Sequence, residues 1–239
     1  MTQPTTGEPT GPSALWLALR VFDEPSTVFQ HLATRPRFWV PIALMVLTAV
    51  AGAYLTPESV FREQLRPRIE AAQRAGQLTE EQAQQQLENA GGSTTRIAAL
   101  VAGAAGVPIM MAIIAGVLML IFGAGGANPV PFKTEFAVVT HAYMVSLAGI
   151  LLVVLLMRFA GMEQVGFSLS FLFDRDSGFP FRFAEQITLF GAWNVFLVAL
   201  GNKIITKGKG LVGPLVIVGG LWLLLKVGMA ALAGLGPGG

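Results

Sequence analysis

The sequence contains no cysteine. Disulfides, thiolate metal sites and a cysteine nucleophile are thereby excluded, while the redox compartment stays open. Histidine is nearly as scarce: His31 and His141 lie in different segments, so neither a Ser/His/Asp grouping nor a His-Glu-x-x-His pair arises. Paired catalytic carboxylates and a dinucleotide motif are missing too. An enzyme is disfavoured, and no catalytic residue, cofactor or metal ion is expected. Charge is also in short supply. Only 13% of the 239 residues are Asp, Glu, Lys or Arg, against about 25% in a soluble domain. With a mean hydropathy of +0.62, the chain suits lipid as its main solvent. A formal net charge of +2 is too small to argue for nucleic acid.

What the chain has in quantity is apolar sequence in long runs. About 20 apolar residues cross a bilayer, and runs near that length lie at about 38–55, 97–122, 136–157, 187–205 and 211–233. The expectation is an all-α polytopic membrane protein, a bundle of five transmembrane helices forming one membrane domain over 38–239. Met1 to Pro12, rich in Thr, Pro and Gly, reads as a disordered tail. Residues 13–37 read as two short helices, the first capped by Ser13 and the second starting near Pro25. The second puts Val28, Phe29 and Leu32 on one side. Both helices are too short to span, so they either lie in the interface, anchored by Trp16, Phe22 and Phe29, or pack under the bundle. Ala51-Gly52-Ala53 offers the small residues of a signal cleavage site, but the polar segment before that run is far too long for a signal n-region.

The one large polar segment follows the first run. Phe61, Leu65 and Ile69 recur every four residues as a helical stripe, with Pro67 inside it. Thr79-Glu80-Glu81-Gln82 is a capping box, and Gly91-Gly92 suits a helix end. Residues 57–92 therefore read as a polar helical hairpin broken near Gly76, its Glu and Gln forming a solvated surface. In the second run Pro108 predicts a kink. Ala102 through Gly106, with Ala112 and Gly116, are small enough for another helix to approach closely. Gly-Ala-Gly-Gly at 123–126 lacks the Gly-Lys-Ser/Thr of a phosphate cradle. The phenylalanine-rich stretch from Gly161 to Phe183 is read as lying along the headgroups or dipping back between helices.

Orientation follows from basic residues. The tally of Lys and Arg on the two sides is nearly even, but the rule weighs short loops and charges near span ends most heavily. Lys203, Lys207 and Lys209 sit in the short loop before the last run, and Arg35 and Arg37 directly precede the first. These put the N-terminus in the cytoplasm and the C-terminus outside.

Ionisable and polar groups at membrane depth are the default functional candidates. They are His141 and Tyr143 in the third run, Asn194 in the fourth and Lys226 in the fifth, with Glu185 at the start of the fourth on the same side as Lys226. Each has a plainer reading. His141 and Asn194 would serve as interhelical hydrogen bonders, and Lys226 would snorkel to the headgroups. A Glu185–Lys226 pair is geometrically compatible with the topology.

Several stretches together resemble the Yip-domain family, the Ypt/Rab-interacting membrane proteins, in its prokaryotic branch. These are Val21-Phe22-Asp23-Glu24-Pro25 with Phe29, Arg35-Pro36-Arg37-Phe38-Trp39 entering the first run, and Trp193-Asn194-Val195-Phe196-Leu197-Val198-Ala199-Leu200-Gly201 leading into the basic loop. The likeness extends over about Val21 to Leu232. It implies five helices, a cytoplasmic N-terminus and a C-terminus across the membrane, here a prokaryotic cytoplasmic membrane. It supplies no catalytic residues. The Asp-Leu-Tyr-Gly-Pro-like segment of eukaryotic members is missing, which counts against a GTPase partner. The expected function is a non-enzymatic membrane scaffold acting through helix–helix or protein–protein contacts. The alternative is a transporter or lipid-handling protein using a polar site between the spans. Expected partners are membrane lipid and either a second copy or another membrane protein. A continuous cavity lined by His141, Asn194 and Lys226 would favour transport, and a dry packed bundle the contact role.

Overall fold

In the computed structural model, residues 11–124, 129–160 and 166–234 are described. The tail expected up to Pro12 and the Gly-Ala-Gly-Gly loop lie mostly outside that set. The elements are α1 (Ala14–Arg20), α2 (Pro25–Thr34), α3 (Trp39–Leu55), α4 (Glu58–Arg74), α5 (Glu80–Glu88), α6 (Ser93–Val101), a π-helical turn (Ala102–Gly106), α7 (Val107–Ala124), α8 (Phe132–Phe159), α9 (Phe179–Gln186), α10 (Leu189–Ile205) and α11 (Val212–Gly234). Two short 3-10 turns precede α9. Among the described residues there is no strand, only one antiparallel bridge between Ser168 and Thr188.

Among the described residues, three stretches are long and apolar enough to cross a membrane: Ser93–Gly123, Phe132–Phe159 and Val212–Leu232. Helices α3 and α10 are apolar but only 17 residues each, about 26 Å against a hydrocarbon core of about 30 Å. The expected count of five spans therefore rests on these two. α8 is the centre of the bundle. Its most apolar stretch is 56% buried, against 17% and 11% for the other two, and it packs on α3, α7 and α10. Large apolar side chains such as Ile113, Leu120, Val216 and Leu224 point outward, the arrangement of a bundle whose solvent is lipid.

The local structure follows from local chemistry. Ser13 accepts the Trp16 N–H at the start of α1, and Thr79 and Gln82 form both halves of the capping box that starts α5. Gly76 and Gly91 adopt positive φ, +69° and +88°, so they end α4 and the α5 region where a side chain would be strained. Pro108 removes an N–H and its ring crowds the carbonyl four residues back, that of Ala104; the helix widens into its π turn over that position. The small residues there also let α3 in: a Cβ on Gly103 would lie 2.8 Å from the Ala49 methyl. α1 and α2 sit against the bundle end. Val28, Phe29 and Leu32 are fully buried against α8 and α10, while Leu15, Leu19 and Phe22 stay exposed.

Candidate functional site

Polar groups gather at two levels along α8. The first is at its start. α8 begins after Pro131, whose backbone is extended, and Glu135 in the first turn suits the positive end of the helix dipole. α10 runs antiparallel beside it. Gly201 allows the close approach, because a Cβ there would collide with Val138. That brings Asn202 Nδ2 to 2.9 Å from Glu135 Oε1, to which it donates. The same amide also donates to the Val198 carbonyl at 3.1 Å. Both side chains are fully buried. Glu135 Oε2 and Asn202 Oδ1 find no partner, and none of the ion pairs among the described residues involves Glu135.

His141 is buried nearby on the same helix and bonds only within it. Its Nδ1 donates to the Ala137 carbonyl at 2.8 Å, so Nδ1 carries the proton and Nε2 is left without a partner. Thr140 likewise bonds back to the Phe136 carbonyl at 2.8 Å.

The second level is a cleft of about 1220 Å³ in the half of the bundle away from α1 and α2. Tyr143, Ser146, Glu185, Asn194, Trp222 and Lys226 contribute to its lining, and Phe167, Phe171, Phe173, Phe181 and Phe190 form much of its apolar wall. The register explains the grouping. Phe190 occupies the space a Cβ on Gly149 would need, and Trp222 lies 3.1 Å from where a Cβ on Gly191 would sit. Asn194 is therefore one helical turn deeper than Phe190, and Lys226 one turn beyond Trp222 toward the mouth. The stretch before α9 folds back onto the start of α10. Leu189 N–H donates to the Phe167 carbonyl at 3.0 Å and Leu169 N–H to the Ile187 carbonyl at 2.9 Å. Thr188 caps α10 by accepting from Gly191 N–H at 3.0 Å.

Of the five residues singled out from the sequence, Tyr143, Asn194, Glu185 and Lys226 line this one cleft, and His141 does not. Glu185 and Lys226 form no ion pair within 4.0 Å. Glu135 and Asn202 were missed by the sequence reading. Glu135 lies one residue before the apolar run expected to begin at Phe136, and a carboxylate abutting such a run is a signal that would have found it.

The fold and these sites define an all-helical integral membrane protein, with apolar helix faces turned outward and a small set of polar side chains held inside the bundle. The family model described as the Yip1 domain matches residues 19–232, and the chain belongs to that family. No curated protein and no solved structure matches it.

Proposed function

We propose that this Yip1-domain protein is a non-enzymatic membrane protein that holds an amphipathic lipid in the cleft between α8, α10 and α11. The observation that carries this is the cleft itself. Its volume of about 1220 Å³ exceeds the roughly 300–1,000 Å³ of a drug-sized pocket. Its lining combines a phenylalanine wall with charged groups at the mouth and neutral ones deeper, as an acyl chain and a headgroup require. Of the three residues whose shared cavity would favour transport, Asn194 and Lys226 line this cleft and His141 does not. Substitutions that fill it, Ser146→Trp and Asn194→Phe, are expected to abolish lipid carried through purification, read by native mass spectrometry, while helicity is kept. Wild-type protein free of bound lipid after mild extraction would sink the proposal.

In this reading α3 and α10 also cross the membrane, giving five spans, and the basic end is cytoplasmic. Phe38 packs on Phe136 with ring centroids 5.1 Å apart, and Asn202 meets Glu135. The basic residues Arg35, Arg37, Lys133, Lys203, Lys207 and Lys209 thus collect at one end of the bundle. The cleft then opens in the outer half of a cytoplasmic membrane.

The scaffold reading draws on a different observation. α11 presents Gly213, Val216, Gly220 and Leu224 as one outward stripe, with open space where each glycine would carry a Cβ. Small residues let helices of two copies approach closely. Cross-linking through cysteines placed on this stripe, weakened by Gly220→Leu, would support self-association.

A further inference from the structure

The lining of the cleft says which lipid it takes. We infer that its occupant is a zwitterionic phospholipid, with the phosphodiester at Lys226 and the headgroup ammonium at Glu185; this rests on the lipid-holding reading above. Both side chains line the same cleft, and among the described residues neither is neutralised by an ion pair within 4.0 Å. The second carboxylate on the lining, Glu63, is already engaged by Arg66 at 3.6 Å. Among the described lining residues, the mouth therefore offers one positive and one negative group without an ion-pair partner.

A headgroup that is only anionic satisfies Lys226 but sets its charge beside Glu185. A headgroup that is only cationic leaves Lys226 unmet. A phosphate joined to an ammonium by a short carbon link answers both. The aromatic wall fits the same ligand in two ways. Phe181 stands four residues before Glu185, on the same face of α9, and ring faces attract an ammonium. The remaining phenylalanines give the acyl chains an apolar surface. Asn194 and Tyr143, a turn or more deeper, supply neutral hydrogen-bonding groups at the level of the glycerol esters.

The test uses the full chain in nanodiscs containing equal parts of phosphatidylethanolamine, phosphatidylcholine and phosphatidylglycerol, with bound lipid counted after transfer to detergent. Phosphatidylethanolamine, whose ammonium carries N–H donors, should be retained over phosphatidylglycerol by about tenfold, the weight of one charge-assisted hydrogen bond. Phosphatidylcholine, whose quaternary ammonium meets Glu185 by charge alone, should also be retained over phosphatidylglycerol, by a smaller factor. Glu185→Gln should erase that preference while total retention persists. Lys226→Met should lower retention of all three. Equal retention of the three lipids, still blocked by Ser146→Trp, would overturn the headgroup assignment and leave the lipid-holding reading standing. Retention of none, or retention indifferent to Ser146→Trp, would sink that reading itself. A Lys226→Met protein that binds as well as wild type would show that Lys226 merely snorkels, and would overturn the assignment.

Discussion

Glu135 and Asn202 show what a single buried contact demands. Asn202 supplies the donor to a fully buried carboxyl that, among the described residues, has no ion-pair partner. Asn202→Leu should cost about 1–3 kcal/mol, because a buried acceptor loses its partner. Replacing both residues by leucine should cost less than the two single changes added together, since each single change strands the other group. Denaturant unfolding in detergent micelles measures both, and strict additivity would count against the coupling. His31, near the end of α2, makes a prediction in pH. Desolvation lowers its pKa first, and the nearby Arg37 and Arg35 lower it further, while its Nε2 is buried without a partner. The folded chain thus resists a proton that the unfolded chain accepts near pH 6.5. Stability should therefore fall as pH drops through and below about 6.5. His31→Gln should flatten that part of the melting-temperature profile. An unchanged slope would show that the acid sensitivity arises elsewhere.

Among the elements, Arg96 ties the start of the polar hairpin to the end of α3 and the start of α6. Arg96, in α6, donates to the carbonyls of Ala53 at 2.6 Å and Gly91 at 2.8 Å. Longer bonds reach Tyr54 and Thr56, and Glu58 lies 3.9 Å away. It thereby satisfies the orphan carbonyls at the end of α3, where the chain turns through 96° into α4. Gly91 is needed in the same place, because a Cβ there would lie 2.8 Å from the Glu58 side chain. Arg96→Ala should destabilise by about 1.5–3 kcal/mol, the range for hydrogen bonds from a charged donor. Arg96→Lys should recover little, because a lysine lacks the planar fork that reaches several carbonyls at once. Limited proteolysis of the α3–α4 turn reads the effect: faster cutting in Arg96→Ala is expected, and equal rates would remove Arg96 as the tether. At this scale much was legible in the sequence. Ser13 and the Thr79–Gln82 box announce helix starts, Gly76 and Gly91 mark breaks, and Pro108 marks the disturbed span. Each of these acts on groups within about one helical turn.

At the scale of the whole molecule, the orientation can be checked because the chain has no cysteine of its own. Single cysteines at Ser93 and Lys207 fall on opposite ends of the bundle. In intact cells a membrane-impermeant thiol reagent should label position 93 and spare position 207. Labelling at 207 would reverse the topology and place the cleft in the inner half. The sequence by itself determined the all-helical membrane class, the order of the apolar runs and the polar hairpin, because composition and 3.6-residue periodicity act locally and survive without knowledge of neighbours. Only the tertiary structure decided which polar residues meet. Asn202 reaches Glu135 across 67 residues because Gly201 lets two antiparallel helices close on each other. Four of the five polar residues chosen from the sequence share one cleft because α8, α9, α10 and α11 converge there, while His141 lies apart and spends its hydrogen bond on its own helix. Such meetings depend on helix register and side-chain volume at the crossings, which no one-dimensional pattern encodes.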